Sequence, residues 1–341
     1  MDRLREFAVR IAVCIAAATP AALPSQAVAL DRAQLAVIVN TWDPLSVEIG
    51  KYYAAQRGIL FQNIIKVGFP PGRTTIPAKE FAAIKAWADK QALAHIQAYA
   101  LTWAAPYRVE CMSITSAFAF GFDPVFCAED CKPTQPSPYF NSRVRFPFTQ
   151  LKMRPTMAIA ATSLEQAKAL IDRGLRSDGT RPEGTAYLLS TSDAARNVRS
   201  ASYPLAQRIL GRRARVLNQD ALKDAKDVLF YFTGKARVEG LETLGFVPGA
   251  IADHLTSAGG QLVHSGQMSA LAWLEAGATG SYGAVVEPCN LAQKFPHPAV
   301  VIGNYLRGDT LIEAYWKSVA MPGQGIFIGE PLAAPFRRKG G

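Results

Sequence analysis

Residues 35–39, Leu35-Ala36-Val37-Ile38-Val39, form an unbroken apolar run. A short apolar run without alternation is typical of a strand buried on both faces, as in a parallel sheet. Asp43-Pro44 follows and predicts a helix start, with Asp as N-cap and Pro in the first turn. Apolar residues then recur at helical spacing until Gly58. The stretch therefore predicts a strand, a turn and a helix.

The same alternation continues along the chain. Further strands are predicted at 64–67, 96–103, 156–161, 187–189, 214–217, 228–232, 284–286 and 325–329. Further helices are predicted at 79–93, 163–173, 202–210, 248–257, 269–276 and 311–319. Strands alternating with helices predict an α/β fold, with a mostly parallel sheet and helices on both faces.

Residues 105–154 interrupt this alternation. The segment holds three of the five cysteines, several prolines and many aromatic residues. A segment of this length without periodicity is too long for an ordinary loop. We interpret it as an ordered insertion pinned by disulfides, with a lid over a site as the alternative.

Composition narrows the class of protein. The 341 residues are 49% hydrophobic and 19% charged, which excludes a disordered chain. A mean hydropathy of +0.06 argues against a polytopic membrane protein. The net charge is +10, and the cluster Arg208, Arg212, Arg213 and Arg215 is interpreted as a solvated face. No nucleic-acid partner is expected, because the chain is predicted to be secreted.

The first 29 residues are predicted to be a signal peptide. Three arginines precede an apolar core at 11–22, and Ala27-Val28-Ala29 supplies the small residues of a cleavage site. A membrane anchor is the alternative, disfavoured because the core is short and contains Pro20. We therefore predict a periplasmic or extracellular protein, not integral to the membrane after cleavage. Residues 30–341 are predicted to form one elaborated domain, with 155–336 as its second half.

Secretion favours disulfides for the remaining cysteines, which are Cys111, Cys127, Cys131 and Cys289. Cys127 and Cys131 could close a small loop, or either could pair with Cys111, and the connectivity stays open. A zinc site is disfavoured because no second Cys or His pair has suitable spacing. We expect no metal.

A ligand site is predicted where the strands end. In open α/β sheets, ligands bind outside the carboxyl ends of the strands. The polar and aromatic residues that follow predicted strands, or come close to their ends, are Asn40, Asp43, Trp103, Lys235, Asp253 and Glu287.

A nucleophile–base pair is also conceivable, formed by Cys289 with His254 or His264. For Cys289, the favoured interpretation is a disulfide or a buried thiol. For His254, which lies in a predicted helix, the favoured interpretation is a structural role. The segment 277–283 is rich in glycine, a composition that also occurs in anion-binding loops. It lacks the Lys-Ser/Thr of a phosphate-binding loop, so we expect no nucleotide cofactor.

Several short motifs together resemble an uncharacterised family of secreted bacterial proteins, over about Leu35 to Phe336. They include Ser46-x2-Ile49-x2-Tyr52-Tyr53-x3-Arg57-Gly58, Leu101-Thr102-Trp103, Asp253-His254-Leu255-Thr256-Ser257, Gly277-Ala278-Thr279-Gly280 and Gly329-Glu330-Pro331-Leu332.

More distantly, the pattern is similar to gingipain-like cysteine peptidases of the caspase-like fold. Those peptidases place a His in a Gly-His pair after one buried strand and the Cys after the next. Here Val228–Phe232 looks like the first of these strands, but Gly234 precedes Lys235 and no Cys lies near 250–254. Gly329-Glu330-Pro331 resembles the Gly-Asp-Pro that closes such domains.

Three functions follow as hypotheses. The leading one is a degenerate hydrolase-like exported protein that binds an envelope ligand or a peptide. The second is a cysteine-dependent hydrolase or peptidase that uses Cys289. The third is a non-catalytic envelope protein whose insertion is its contact surface.

Overall fold

The computed structural model describes residues 29–128 and 131–338, so the predicted signal peptide lies almost wholly outside the described residues. The strands are β1 (Leu35–Asn40), β2 (Ile64–Val67), β3 (Thr75–Ile76), β4 (Ala98–Leu101), β5 (Arg108–Val109), β6 (Met112–Ser113), β7 (Thr156–Ala158), β8 (Thr185–Ser190), β9 (Ala214–Asn218), β10 (Val228–Thr233), β11 (Phe246–His254), β12 (Gly280–Ala284) and β13 (Gly325–Gly329). The helices are α1 (Pro44–Arg57), α2 (Ala78–Gln91), α3 (Ile114–Phe120), α4 (Pro147–Leu151), α5 (Leu164–Ser177), α6 (Tyr203–Leu210), α7 (Leu271–Ala276), α8 (Pro298–Leu306) and α9 (Leu311–Trp316).

Ten of these strands form one sheet, in the order β2-β1-β4-β7-β13-β12-β11-β10-β8-β9. The pairs β2–β1, β1–β4 and β4–β7 are parallel. The pairs from β12 to β9 are also parallel. Strand β13 lies between these two blocks and is antiparallel to β12, with Gly280 opposite Gly329 and Ala284 opposite Gly325.

The ends of β13 define its direction relative to the first block. It meets β7 through one residue pair, which is too short to define a direction. Just before its amino end, the Gly323 carbonyl accepts a hydrogen bond from Ser113 N at 2.9 Å. Ile114, which follows Ser113, donates from its backbone N–H to the Tyr107 carbonyl, and Tyr107 lies beyond the carboxyl end of β4. At its other end, Glu330 pairs with Arg57, the last residue of α1. Strand β13 therefore runs against β1 and β4, and the two parallel blocks point the same way.

Helices cover both faces of the sheet, because consecutive strand residues point to opposite sides. Phe230 contacts Tyr305 of α8, whereas the next residue, Tyr231, contacts Trp273 of α7. Helices α1, α5 and α7 lie on the α7 side, and α2, α3, α6, α8 and α9 lie on the other. The predicted fold class, a mostly parallel α/β sheet with helices on both faces, is confirmed.

Local signals explain the helix starts that the sequence predicts. Asp43 caps α1 by accepting from Leu45 N at 3.0 Å, with Pro44 as the first helical residue. Gly58 ends the helix in the left-handed conformation, with φ of 62°. Ser163 caps α5 by accepting from Gln166 N at 3.2 Å. Each cap satisfies a backbone N–H that the helix itself leaves unpaired.

The helix predicted at 248–257 is wrong, because this segment is strand β11. From Gly249 to His254 every residue is buried. A short buried run of small apolar residues fits a helix and a central strand equally well, since its apolar spacing has no informative period. His254 therefore lies at the end of a strand. The structure also contains helix α8, which the sequence does not predict.

The glycine-rich segment 277–283 contributes to the sheet. Residues 280–283 belong to β12, and the glycines allow close packing. A Cβ at Gly280 would lie 2.7 Å from Leu311, and one at Gly283 would lie 2.4 Å from the backbone of Gly260. Larger residues at these positions would displace a helix or a neighbouring backbone segment.

The insertion at 105–154 is held in place by packing and by disulfides. Helix α3 is buried, and its Phe118 contacts Phe81 and Trp103. Cys111 bonds Cys127, and Cys131 bonds Cys289 across 158 residues of sequence. The predicted disulfides are confirmed, and the small Cys127–Cys131 loop is not the pairing observed. The second disulfide ties the insertion to the segment after β12.

Glu330, directly after β13, is fully buried and joins β13 to α1. Its carboxylate accepts from the Tyr53 hydroxyl at 2.8 Å and from Arg57 Nε at 3.0 Å, and it also forms an ion pair with Arg57. Arg57 forms a second ion pair with Asp178 after α5. The end of the central strand is thus bound to two helices of one face.

We predict that Glu330→Ala lowers the free energy of unfolding by about 3–5 kcal/mol, because it leaves the buried Arg57 without its main counter-charge. Urea unfolding followed by circular dichroism measures the change. The control is Glu48→Ala, which removes an exposed ion pair with Lys51 and should cost less than about 1 kcal/mol. Equal losses in the two variants would contradict the role given to Glu330.

Candidate functional site

The six predicted rim residues lie at or after the carboxyl ends of strands that end at the same edge of the sheet, but they do not form one cluster. In the strand order, β1 and β10 are six positions apart. At about 4.8 Å per strand, Asn40 and Lys235 are separated by roughly 29 Å along the edge. The edge therefore has a first part near β1 and β4 and a second part near β12, β11 and β10.

In the first part, the predicted residues support the fold. Asn40 is buried and bonds the backbone of Phe69 through both ends of its amide. Trp103 is buried and donates from Nε1 to the Pro106 carbonyl at 3.2 Å. Asp43 is occupied as the cap of α1. Because these polar groups already have hydrogen-bond partners within the protein, this part of the edge offers few free polar groups to a ligand.

In the second part, Asp253 forms a buried ion pair with Arg199. Arg199 also donates to the Thr233 carbonyl at 2.9 Å, which connects the ends of β10 and β11. Burial raises the pKa of the Asp253 carboxyl, and the adjacent guanidinium opposes that change. Asp253 Oδ2 has no hydrogen-bond partner among the described residues. The pair is too deep to meet a macromolecular ligand.

His254 points to the opposite face of β11 and has no free ring nitrogen. Trp273 Nε1 donates to Nδ1 at 2.9 Å, which leaves the proton of the neutral ring on Nε2, bonded to the Met268 carbonyl at 3.1 Å. Burial lowers the pKa of His254 to about 4. The ring is therefore neutral near pH 7 and already fully bonded, which leaves it unable to serve as a general base in this conformation.

Cys289 is not brought together with a histidine. Its sulfur is bonded to Cys131, and a disulfide has no thiolate to act as nucleophile. His264 lies on an exposed loop. Within residues 29–128 and 131–338, no hydrogen bond joins Cys289 to either histidine. Glu287 is exposed and accepts from Cys289 N at 2.8 Å, so it shapes the turn that carries the disulfide.

Lys235 is the one predicted rim residue that lies in an accessible ionic network. Its Nζ lies 3.0 Å from Asp220 Oδ2, and Asp220 also accepts from the backbone and hydroxyl of Ser192. These hydrogen bonds, foremost that of the Ser192 hydroxyl, lower the pKa of Asp220 to about 2. A second pair, Arg196 with Asp193 at 2.9 Å, lies on the loop that contains Ser192.

We call the surface formed by Ser192, Asp193, Arg196, Asp220 and Lys235 the strand-end surface. Its residues come from loops after β8, β9 and β10. Lys235 is the one member of this surface that the sequence predicts as a site residue, and Arg199 is not predicted either. The available signal was the polar run Ser190-Thr-Ser-Asp193 directly after a predicted strand. Pairing with Asp220 depends on the strand order, which the local sequence does not contain.

No group of three or more His, Cys, Asp or Glu side chains is placed to hold a metal ion in the part of the chain that the structure describes. The same ranges contain no helix long and apolar enough to cross a membrane.

Comparison with known proteins gives one distant likeness. No protein-family model matches the sequence, and no curated protein matches it. A solved structure described as a protease is similar, with a TM-score of 0.44 and 13% sequence identity, over 90% of this chain and 79% of that chain. A likeness at this level supports no inference about activity, so the similarity to gingipain-like peptidases and to secreted bacterial proteins stays a prediction.

We predict that His254→Gln flattens the pH dependence of stability between pH 6.5 and 4. The folded pKa of about 4 lies below the ordinary 6.5, so the unfolded chain binds the proton first. Stability contributed by neutral His254 is therefore present above pH 6.5 and lost as the pH falls toward 4, by roughly 3 kcal/mol. Urea unfolding at pH 7 and pH 4.5 measures it.

The control for this prediction is His264→Gln, which replaces an exposed histidine and should keep the wild-type dependence. A wild-type slope in His254→Gln would show that other groups control the acid sensitivity.

Proposed function

We propose that this protein is an exported, hydrolase-like α/β protein that acts by binding an envelope ligand or a peptide, without catalysis by a cysteine. The observation that carries this proposal is the state of the candidate nucleophile, Cys289, whose sulfur is bonded to Cys131. The candidate base His254 has both ring nitrogens bonded, which also disfavours the alternative of a cysteine-dependent hydrolase.

Export is supported by the cysteines of the described chain. Cys111, Cys127, Cys131 and Cys289 all lie in disulfides, and disulfides persist in oxidising compartments. The sequence of residues 1–29 adds the pattern of a signal peptide. Together they favour the periplasm or the extracellular space.

The strand-end surface is the proposed contact region. It offers two carboxylates and two cations that are partly or fully exposed, and the Ser192 hydroxyl donates to one of these carboxylates, Asp220. Exposed ion pairs are weak, so a ligand can exchange them for its own contacts at small cost. Mixed donors and acceptors fit the backbone and side chains of an extended peptide.

We predict that a thiol-directed peptide electrophile does not label the native, non-reduced protein, because the Cys289 sulfur is not a thiolate. Mass spectrometry of the intact protein measures labelling, and Cys289→Ala is the control. Labelling of wild type that disappears in Cys289→Ala would favour the cysteine hydrolase. Thiol titration under denaturing, non-reducing conditions should find no free thiol in the mature chain.

We predict that Lys235→Ala combined with Asp220→Ala weakens peptide binding at least 10-fold. Peptides would be selected on the wild-type protein from a phage-displayed library, then measured by fluorescence anisotropy. The matched control, Lys51→Ala with Glu48→Ala, removes an exposed ion pair of similar length on α1 and should bind within about twofold of wild type. Failure to select any peptide, or equal losses in both variants, would contradict the proposed surface.

A further inference from the structure

A second candidate site lies near the amino end of β1, away from the strand-end surface. It is a groove of about 910 Å³, near the upper end of the range of small-molecule sites. Its walls come from five separate segments: Ala29 ahead of β1, the end of the insertion, the loop after α5, the region from α8 to α9, and the chain after β13. The fold itself brings these segments together.

The groove is strongly basic. Seven cationic side chains line it against two acidic ones, which leaves a formal charge of +5, half of the +10 of the whole chain. The cationic residues are Arg143, Arg145, Arg181, Arg307, Lys317, Arg337 and Arg338. Like charges brought together by a fold destabilise it unless counter-charges bind, so this convergence is a marker of anion binding.

The two acidic residues do little to neutralise the arginines. Asp309 is paired with Lys317 at 2.7 Å. Glu313 is buried and accepts from Thr310 and from the backbone N–H of Leu30 at 3.1 Å. Both carboxylates are thus occupied by other groups.

The arginines keep most of their donors available. Arg143, Arg145, Arg181 and Arg338 have no ion pair and no side-chain hydrogen bond within the described ranges. Arg337 donates one guanidinium nitrogen to the Leu30 carbonyl. Arg307 donates one guanidinium nitrogen to the Asn304 side-chain oxygen. No arginine of the groove is therefore paired with a carboxylate within the described ranges, and the groove keeps its net positive charge.

We propose that this groove binds a ligand with several clustered phosphate groups. Guanidinium groups bond phosphate oxygens in pairs, and a phosphate monoester or polyphosphate concentrates more charge per atom than a carboxylate. Six arginines around one groove suit a ligand with more than one phosphate. A phosphorylated lipid headgroup and a free polyphosphate share this chemistry. The proposal stands independently of peptide binding at the strand-end surface.

The test uses the mature protein and two phosphate sources at 0.15 M salt. Calorimetry with tripolyphosphate measures free polyphosphate, with orthophosphate as the single-phosphate comparison. Co-sedimentation with phosphatidylcholine vesicles that contain a phosphatidylinositol bisphosphate measures a lipid headgroup with clustered phosphates. We expect saturable binding in at least one arm, and orthophosphate to bind much more weakly than tripolyphosphate.

The decisive comparison uses two variants of equal charge. Arg143→Gln with Arg181→Gln changes the groove, whereas Arg208→Gln with Arg212→Gln changes exposed arginines near β9. We expect binding to fall at least 10-fold in the groove variant and to stay within twofold of wild type in the other variant, with no decrease in thermal stability in either. Equal losses would show diffuse attraction to a basic protein, and absence of binding in both arms would overturn the proposal.

Discussion

The buried pairing of Glu330 with Arg57 is the interaction on which the arrangement of the sheet depends. It lies where β13 ends, and it binds that strand to α1, which packs on β1. Burying a carboxylate destabilises the fold unless the charge is paired and hydrogen-bonded. Here the Arg57 guanidinium pairs with the Glu330 carboxylate, and the Tyr53 hydroxyl donates a hydrogen bond to it. Because Asp178 pairs with the same arginine, the ends of α1, α5 and β13 converge on one charge network.

The polar groups at the carboxyl ends of the strands serve two different purposes. Those near β1 and β4 cap a helix or form hydrogen bonds with the backbone. The Arg199–Asp253 ion pair is buried. The loops after β8, β9 and β10 present charged groups to solvent, and so does Glu287 after β12. A strand-end position therefore marks where a site could lie, while burial and partners decide whether a side chain can meet a ligand.

The sequence predicted most elements of this fold, because strands such as β1 and β10 are apolar on both faces and helices such as α1 have clear caps. It failed at β11, where small buried residues carry no period, and at β12, where glycine was needed for close packing. The disulfide partner of Cys289 lies 158 residues away, and no local pattern encodes such a pairing. The basic groove was missed for the same reason, since its arginines meet only after folding.

The position of β13 in the chain has a consequence for how the protein is made. Residues 325–329 are the last strand along the described chain, yet they occupy the middle of the sheet. Until they emerge, β7 and β12 each present an open edge, and open edges pair readily with other chains. Synthesis from the amino end thus produces two incomplete half-sheets first. The polypeptide remains most exposed to aggregation until its final segment arrives, and a truncation before residue 325 would leave that vulnerability permanent.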